Sequence, residues 1–344
     1  MIEQAVGRLL LLGPVVLGAL GVSLALIVLL RPWFVRHALA RPNARSSHRA
    51  PTPQGGGVAV VVATLVVAWG AVASSPAFLQ GQGGQLMAVT AAVLLLVVIG
   101  AIDDMHTLPE AARLVVQCLA VGAVIVALPD EFRVLPQAPW WIERSCFLVG
   151  GVWLVNLVNF MDGIDWMTVV EIVPVTGALV VLGLFGAIDL LPTLVAAALL
   201  GGVLGFAPFN KPVARLFLGD VGSLPLGLLL GWLLLQLAGR GYLAAALILP
   251  LYYLADATIT LARRISRREP IWQAHRTHFY QRATDNGLTV AQIVTRVFLV
   301  NVALAMLALI SVAAQGVVVP LMLLTVAGMI VAWLLMAFVQ RPAP

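Results

Sequence analysis

The 344-residue chain has little charge, two cysteines and a single lysine, Lys211. Charged residues make up 10% of the sequence and hydrophobic residues 61%. A soluble domain of this length could not bury so much apolar surface, whereas the hydrocarbon core of a bilayer solvates it. Cys118 and Cys146 lie in or beside apolar runs and match no metal or redox spacing, so packing is their predicted role. The scarcity of charge therefore predicts an integral membrane protein.

Eleven apolar runs are each long enough to cross a bilayer. We predict an all-α bundle of about eleven transmembrane helices in one polytopic domain, residues 1–344. Ten helices is the alternative, because the pair of runs around Pro192 and the run ending at Asn159 are the weakest. The first run is too long for a signal-peptide core and is read as a retained helix. The predicted spans are 9–30, 56–74, 86–102, 113–129, 145–159, 168–186, 190–206, 222–238, 243–263, 291–313 and 317–338.

The basic residues are distributed unevenly between the loops. If loops 31–55, 103–112, 160–167, 207–221 and 264–290 and the C-terminal tail are cytoplasmic, most of the 20 lysine and arginine residues lie inside. Only Arg8, Arg133, Arg144 and Arg240 then lie outside. Because positive charge is retained on the cytoplasmic side, this pattern predicts a periplasmic N-terminus and a cytoplasmic C-terminus. It also accounts for the basic residues without nucleic acid as a partner.

Five aspartates fall in three short breaks between apolar runs, all on the predicted cytoplasmic face: Asp103, Asp104, Asp162, Asp165 and Asp220. A carboxylate near hydrocarbon is costly unless a cation, a partner or water relieves it. The adjacent pair at 103–104 also lies beside the negative end of a helix dipole. An ordinary solvated acidic turn is the alternative for that pair. Five carboxylates directed at one surface predict a magnesium-dependent site for phosphate chemistry at the bilayer boundary.

The third break carries a regular polar spacing. Asn156 and Asn159 are three residues apart, as are Asp162 and Asp165. Amide and carboxylate oxygens suit Mg²⁺, which keeps several waters and binds substrate phosphates. Aspartate is also a favoured helix cap, so Asp162 or Asp220 alone could serve that purpose. A cap explains one aspartate and leaves the others unexplained.

Two loops have features of anion-binding segments. His48 precedes a proline pair and the glycines at 55–57, which lead into a helix. Glycines allow a ligand to approach the backbone, and the N–H groups of a helix N-terminus favour phosphate. A basic juxtamembrane segment that holds lipid headgroups is an equal alternative.

The fifth loop is the most basic, with His275, Arg276, His278 and Arg282 close together. Arginine forks match phosphate oxygens, so this loop suits a diphosphate. Topology alone accounts for part of its charge. A zinc site is not favoured, because no cysteine or further histidine stands at ligand spacing. Asp256, within the ninth predicted span, either pairs with a neighbouring polar group or helps to build the site.

The motifs together resemble the polyprenyl-phosphate N-acetylhexosamine-1-phosphate transferases, a family of multispanning membrane enzymes. The resemblance covers nearly the whole chain, and its basic loop is similar to the bacterial branch that starts O-antigen and related surface glycans. It rests on five motifs in order: His48 with the prolines and glycines that follow, Asp103-Asp104, Asn159-Phe-Met-Asp162-Gly-Ile-Asp165, Gly219-Asp220-Val-Gly-Ser223, and Ala274-His-Arg-Thr-His-Phe-Tyr-Gln-Arg282.

The resemblance implies roles for the acidic residues. Asp103 and Asp104 are expected to act on the polyprenyl phosphate. Asp220 is expected to hold Mg²⁺, with Asp104 and Asn159 as further ligands and Mn²⁺ as a substitute. Asp162 and Asp165 are expected to support the nucleotide and the metal.

The resemblance also implies residues that contact the substrates. Phe217 is expected to stack on uracil, with Asn210 on the nucleotide side. The loop residues are expected to contact the diphosphate and sugar. The complete predicted substrate-binding set is His48, Asn156, Asn159, Asn210, Phe217, His275, Arg276, His278 and Arg282.

The implied reaction transfers a sugar phosphate from a UDP-N-acetylhexosamine to undecaprenyl phosphate and releases UMP. The expected location is the bacterial inner membrane, with a homodimer left open. An alternative is the branch that acts on the peptidoglycan pentapeptide precursor, although this chain lacks the histidine triplet of that branch. A transporter is a weaker alternative, since its acidic groups would lie near the midplane in repeated broken helices. The chain departs from the family at one position, where Trp166 replaces a glycine. This departure is the basis of the remaining alternative, a membrane scaffold without catalytic activity.

Overall fold

The computed structural model describes residues 2–40, 51–74, 82–270 and 275–340, and it is almost entirely helical. His48 lies outside the described residues. The elements, in chain order, are α1 Ile2–His37, β1 Leu39–Ala40, β2 Thr52–Pro53, α2 Gly56–Ser74, α3 Gly83–Met105, α4 Glu110–Val126, α5 Trp140–Met161, α6 Met167–Leu184, α7 Leu190–Asn210, α8 Asp220–Gly239, α9 Leu243–Ile248, α10 Leu251–Ser266, α11 Phe279–Asp285, α12 Val290–Ala313 and α13 Val318–Val339.

Within the described ranges, nine helices are long and apolar enough to cross a membrane: α1, α2, α3, α5, α6, α7, α8, α12 and α13. This confirms the prediction of an all-α, multi-pass membrane protein. Two of the eleven predicted spans are absent from this group. The run 113–129 corresponds to α4, whose 17 residues lie at the lower end of the length that crosses hydrocarbon.

The prediction that residues 243–263 form one continuous helix was wrong. The chain there forms α9, of 6 residues, and α10, of 16 residues, with Leu249 and Pro250 between them. Proline has no backbone N–H to continue the preceding helix, and its ring clashes with the carbonyl one turn earlier. A six-residue helix is only about 9 Å long, so α9 cannot cross a bilayer alone.

Helix α8 lies at the centre of the bundle. It packs against α3, α5, α2 and α9, and 89% of its most apolar stretch is buried. By contrast, the corresponding stretches of α1 and α13 are 28% buried, so these two helices lie at the periphery. The first residue of α8 is Asp220, and the most enclosed helix of the bundle therefore carries a predicted site residue at its end.

Glycines allow α2 and α8 to touch at that end. A Cβ on Gly57 would lie 2.2 Å from the Cα of Gly222, a separation that side chains do not reach. Small residues permit such close backbone approach between membrane helices. The N-terminal turns of α2 and α8 are therefore held against one another beside Asp220.

A short ribbon completes this end of the bundle. Strands β1 and β2 pair antiparallel, with Leu39 opposite Pro53 and Ala40 opposite Thr52. The Phe217 N–H donates to the Pro53 carbonyl at 2.8 Å, and the Gly56 N–H donates to the Phe217 carbonyl at 2.9 Å. The chain before α8 is thereby attached to the ribbon before α2.

Candidate active site

Asp103 and Asp220 meet across the gap between α3 and α8, with Arg113 of α4 beside both. The Asp103 carboxylate accepts from Arg113 Nη1 at 2.6 Å and from the Leu108 N–H at 2.7 Å. The same arginine nitrogen lies 3.7 Å from Asp220 Oδ2. The shared guanidinium therefore places the two carboxyl groups on either side of it. Two facing carboxyl groups repel unless a proton or cations lie between them, and one guanidinium supplies part of that charge.

Asp104 binds the N-terminus of α8. Its Oδ1 accepts the Asp220 N–H at 2.9 Å, and its Oδ2 accepts the Val221 N–H at 3.1 Å. Helix N-termini expose unpaired N–H groups and a partial positive charge, so a carboxylate is stabilised there. Gly219, at φ +78°, brings the backbone close, and a Cβ on it would lie 2.5 Å from Asp104 Oδ2. Asp104 therefore fixes where α8 begins.

Asn159, at the end of α5, connects to the same centre. Its amide nitrogen donates to Asp220 Oδ1 at 2.7 Å and to Ser223 Oγ at 2.9 Å. Asn156, one turn earlier, donates to Gln117 of α4 at 2.6 Å. The predicted three-residue spacing therefore places both asparagines in contact with neighbouring helices, but only Asn159 bonds to an aspartate.

Phe217 and Gln54 lie beside Asp104. The Gln54 side chain donates to the Asp104 backbone carbonyl at 3.0 Å, and Gln54 bridges to Phe217 in parallel. Phe217 is half-buried and its backbone bonds to the ribbon on both sides. The backbone of Phe217 is thus held beside the strand that contacts Asp104, and the predicted stacking of its ring on uracil stays a prediction.

Asp162 and Asp165 lie in the connection between α5 and α6. Thr168 Oγ1 donates to Asp162 Oδ1. Removal from water raises the pKa of the Asp162 carboxyl to about 7; the Thr168 bond opposes this, and the charges of Asp104 and Asp165 add to it. Asp165 is buried and accepts the Ala214 N–H at 2.9 Å. This contact attaches the α5–α6 connection to the segment that leads to Phe217.

Asn210 is also buried, with its amide bonded on both sides. Its Oδ1 accepts the Trp166 N–H at 2.7 Å, and its Nδ2 donates to the Leu216 carbonyl at 3.0 Å. The first bond connects the end of α7 to the α5–α6 connection, and the second connects it to the segment before Phe217. The predicted contact between Asn210 and the nucleotide stays a prediction.

The basic loop is anchored by Asp256 of α10, which is fully buried. Its carboxylate accepts the Phe279 N–H at 3.0 Å and the Tyr280 N–H at 3.2 Å, and it lies 3.2 Å from His278 Nδ1. Of the two roles left open for Asp256, it therefore pairs with polar groups, three of them in the basic loop and two, Tyr252 and Thr260, on its own helix. The His275 and His278 rings stack at 5.0 Å between centroids.

Tyr280 brings the basic loop to the α5–α6 connection. Its hydroxyl donates to the Phe160 carbonyl at 3.1 Å, and a Cβ on Gly163 would lie 2.0 Å from that hydroxyl oxygen. Gly163 therefore leaves the space that Tyr280 occupies, two residues before Asp165. The Phe160 and His278 rings are 6.4 Å apart.

The two arginines of the basic loop have different surroundings. Arg276 pairs with Asp285 at 3.3 Å and donates to Thr284 at 3.0 Å. Arg282 lines a cavity of about 110 Å³. The other residues that line this cavity are Thr260, Arg263, Arg264, Arg267, Glu269 and Thr277. Four of the seven lining residues are therefore arginines, and the binding of a diphosphate by the basic loop stays a prediction.

The three predicted metal ligands are joined directly, since Asp220 donates to Asp104 and accepts from Asn159. Among the residues that the structure describes, no three histidine, cysteine, aspartate or glutamate side chains are grouped to hold a metal ion. Mg²⁺ is commonly bound by one or two carboxylates, with waters and substrate phosphates as its other ligands. The facing carboxyl groups of Asp103 and Asp220 fit that chemistry.

Sequence reasoning missed Arg113, Gln54 and Thr168 as partners of the acidic residues, and Ser223 as a partner of Asn159. Arg113 was counted only among the residues that set topology, although it follows Asp103 by ten positions. Ser223 was noted after Asp220 without a role. Their partners belong to other helices in three of the four cases, so local spacing carries no signal for them.

Comparison with known proteins agrees with this architecture. A family model described as glycosyl transferase family 4 matches residues 86–238. The chain is 24% identical over 295 residues to a probable undecaprenyl-phosphate N-acetylglucosaminyl 1-phosphate transferase of Bacillus subtilis (strain 168), with 81% of this chain and 80% of the relative covered.

Two further relatives represent other activities. A decaprenyl-phosphate N-acetylglucosaminephosphotransferase of Mycolicibacterium smegmatis is 29% identical, and the match covers 62% of this chain and 58% of the relative. A phospho-N-acetylmuramoyl-pentapeptide-transferase of Streptococcus pneumoniae (strain Taiwan19F-14) is 30% identical, with 65% of this chain and 73% of the relative covered. The chain thus spans little more than half of the mycobacterial relative.

The fold and the site define a multi-pass, all-helical membrane enzyme with acidic and basic groups gathered at the ends of its helices. This chain belongs to glycosyl transferase family 4, as a member of the polyprenyl-phosphate hexosamine-1-phosphate transferases. It is a phosphosugar transferase.

Proposed function

We propose that the chain transfers an N-acetylhexosamine-1-phosphate, or a related amino-sugar phosphate, from a UDP-sugar to undecaprenyl phosphate. A lipid phosphate oxygen forms a bond to the sugar-proximal phosphorus, and the bond from that phosphorus to the oxygen of UMP breaks. UMP leaves, and the product is a lipid-linked sugar diphosphate. Such a reaction depends mainly on positioning and on charge stabilisation. The site lies on the cytoplasmic face of a bacterial inner membrane. Its product is the first lipid-linked intermediate of a surface glycan such as O-antigen.

The observation that carries this proposal is the placement of two carboxylates around one guanidinium: Arg113 Nη1 lies 2.6 Å from Asp103 Oδ2 and 3.7 Å from Asp220 Oδ2. Asp103 and Asp104 act toward the lipid phosphate. Asp220 and the facing Asp103 would hold Mg²⁺, which would supply positive charge to the diphosphate. Asp104 and Asn159 position Asp220 through its backbone N–H and its carboxylate. The basic loop supplies the remaining charge, with Arg282 at its cavity.

The relatives support the choice of substrates. One is named for undecaprenyl phosphate and N-acetylglucosamine-1-phosphate, and its match covers four fifths of both chains. The similarity to a pentapeptide transferase supports a second candidate, in which the donor carries the peptidoglycan precursor. Both candidates use the same acidic centre and differ in the sugar that the site accepts.

The test uses membranes that contain the full chain, undecaprenyl phosphate, Mg²⁺ and radiolabelled UDP-sugars. UDP-N-acetylhexosamines, 6-deoxy relatives and UDP-N-acetylmuramoyl-pentapeptide form separate arms. We expect a lipid-linked product and UMP with an amino-sugar donor, and no product after EDTA treatment. Product only with the pentapeptide donor would select the second candidate, and no product in any arm would refute both.

Variants assign the reaction to the site. Asp103→Asn and Asp220→Asn are each expected to abolish Mg²⁺-dependent UMP release. Asp130→Asn, which changes an exposed aspartate remote from this centre in the chain, is the matched control and is expected to keep full activity. Full activity in either site variant would overturn the assignment.

A further inference from the structure

Trp166 has a backbone conformation that glycine normally occupies. Its φ is 64° and its ψ is −2°, which is the left-handed region, at the residue before α6. Residues with a Cβ are disfavoured there, and glycine is the usual occupant. Among the described residues, Arg268 is the one other non-glycine residue with positive φ. The surrounding contacts must therefore hold Trp166 in place.

Two hydrogen bonds do so, both to the end of α7. The Trp166 N–H donates to Asn210 Oδ1, and the indole Nε1 donates to the Ala207 carbonyl, each at 2.7 Å. The last four carbonyls of a helix have no partner within it. Ala207 is in that last turn, so the indole N–H satisfies an acceptor that the helix leaves open.

The segment after α7 is attached to the same connection. Asp165, the preceding residue, accepts the Ala214 N–H, and Asn210 donates to the Leu216 carbonyl. Residues 207–216 are therefore held at both ends by Asp165 and Trp166, directly or through Asn210. The next residue is Phe217, and three positions later stands Asp220, whose N–H binds Asp104.

We propose that Trp166 is a positioning residue of the transferase, whose indole N–H holds the end of α7 and thereby places Phe217 and the start of α8. This proposal rests on the proposed function for its kinetic consequence. A glycine at position 166 would adopt the same backbone without strain but could not make the indole bond. The indole therefore adds a third hydrogen bond between the residues that join α5 to α6 and residues 207–216, beside those made by Asp165 and by the backbone of position 166.

Trp166→Phe tests the indole bond, because it keeps an aromatic ring at the same backbone and removes the N–H. The matched control is Trp69→Phe in α2, which removes an indole bond of 3.0 Å to Thr90 Oγ1. Trp69 is 13 residues beyond Gly56, which places it about 20 Å along the helix from the site. Trp166→Gly removes the bond and the strain together.

In the UMP-release assay, Trp166→Phe is expected to raise KM for the UDP-sugar about tenfold, the effect of losing one hydrogen bond, with kcat within about twofold. Trp166→Gly is expected to raise KM at least as much. Trp69→Phe is expected to leave KM unchanged. An unchanged KM in Trp166→Phe, or an equal rise in Trp69→Phe, would overturn the proposal.

A second arm needs no activity. Amide hydrogen exchange in the substrate-free protein is expected to be faster over residues 211–219 in Trp166→Phe than in the wild type, and unchanged there in Trp69→Phe. Equal protection in all three proteins would overturn the proposal even if KM changed. A wild type that releases no UMP would refute the proposed function, while the exchange result still decides whether Trp166 holds the segment.

Discussion

The carboxylate of Asp104 accepts the backbone N–H of Asp220 at 2.9 Å, so two aspartates 116 positions apart in the chain are joined at the start of α8. The second carboxylate oxygen of Asp104 accepts the next N–H, from Val221. One predicted site residue thereby positions another. This contact explains how the acidic pair at the end of α3 is tolerated there, since the positive N-terminal end of α8 faces Asp104.

Asp104→Asn is expected to lower both stability and activity. The amide would place an N–H₂ group against one of the two backbone donors, and the charge that complements α8 would be lost. Helix caps of this kind contribute about 1–2 kcal/mol. Thermal unfolding in detergent and UMP release measure the two effects. Asp189→Asn is the control, since Asp189 precedes α7 near the other end of α3 and makes no side-chain cap. Equal losses in both variants would contradict the specific role of Asp104.

Arg113→Gln is expected to lower kcat by about tenfold, because the facing carboxyl groups of Asp103 and Asp220 lose their guanidinium. A hydrogen bond to a charged group contributes roughly 1.5–3 kcal/mol, and each 1.36 kcal/mol is tenfold in rate. Arg113→Lys should retain more activity than Arg113→Gln. Arg240→Gln, which removes an arginine paired with Asp189 at 3.1 Å, is the control. A kcat for Arg113→Gln equal to that of the control would refute this role.

Asp256→Ala is expected to release the basic loop from α10. The three groups of the basic loop that it binds, His278 Nδ1 and the N–H groups of Phe279 and Tyr280, would be left buried without this acceptor. We expect faster proteolysis within residues 275–285 and a large loss of UMP release. Thr258→Ala on the same helix, where Thr258 contacts Trp153, is the control. Unaltered proteolysis in Asp256→Ala would show that the loop is held by other contacts.

Gly57→Ala is expected to destabilise the protein strongly, because the added methyl would lie 2.2 Å from the Cα of Gly222 and the two backbones cannot yield. Overpacking of this kind costs about 1–3 kcal/mol. Gly70→Ala is the control on the same helix, since a Cβ there meets no atom within 4 Å. The two variants are compared by thermal midpoint and by UMP release. A midpoint for Gly57→Ala at or above that of Gly70→Ala would contradict the close contact of α2 and α8.

The Asp162 carboxyl predicts a pH dependence of stability. Its pKa is raised from the usual value of 3.8 to about 7, so between these values the folded protein holds a proton that the unfolded chain lacks. Stability therefore falls as pH rises through this window and levels off above it. Asp162→Asn should remove this part of the slope. Thermal midpoints at pH 5, 6, 7 and 8 in metal-free buffer measure it, and parallel curves for wild type and variant would refute the assignment.

The sequence predicted most of the helices, because an apolar run of spanning length has few other stable conformations in a bilayer. The break at Leu249 and Pro250 was missed, since the composition remains apolar across it and proline is tolerated in many membrane helices. The predicted span 113–129 begins and ends three residues later than α4. Its start was placed too late because Glu110 is polar and yet belongs to the first turn of the helix.

The candidate site was predicted in its residue types but not in its contacts. Asp103, Asp104 and Asp220 were singled out because carboxylates are rare in such a chain. Their arrangement depends on how α3, α4 and α8 are rotated about their axes. That rotation is set by packing between helices that lie more than a hundred residues apart in the chain. Arg113 was therefore indistinguishable from a residue that sets topology, and the capping role of Asp104 had no local signal.

The enclosure of α8 has a consequence for how the enzyme handles its substrates. Helix α8 is surrounded by packed helices, and its first turn contacts Asp104 and Gly57. We therefore expect α8 to stay in place during a catalytic cycle. The Asp220 end is then a fixed reference point, and any opening and closing for donor entry and product exit falls to less enclosed parts, such as the peripheral helices α1 and α13. Substitutions that alter turnover without altering the chemistry should therefore be found in those outer elements.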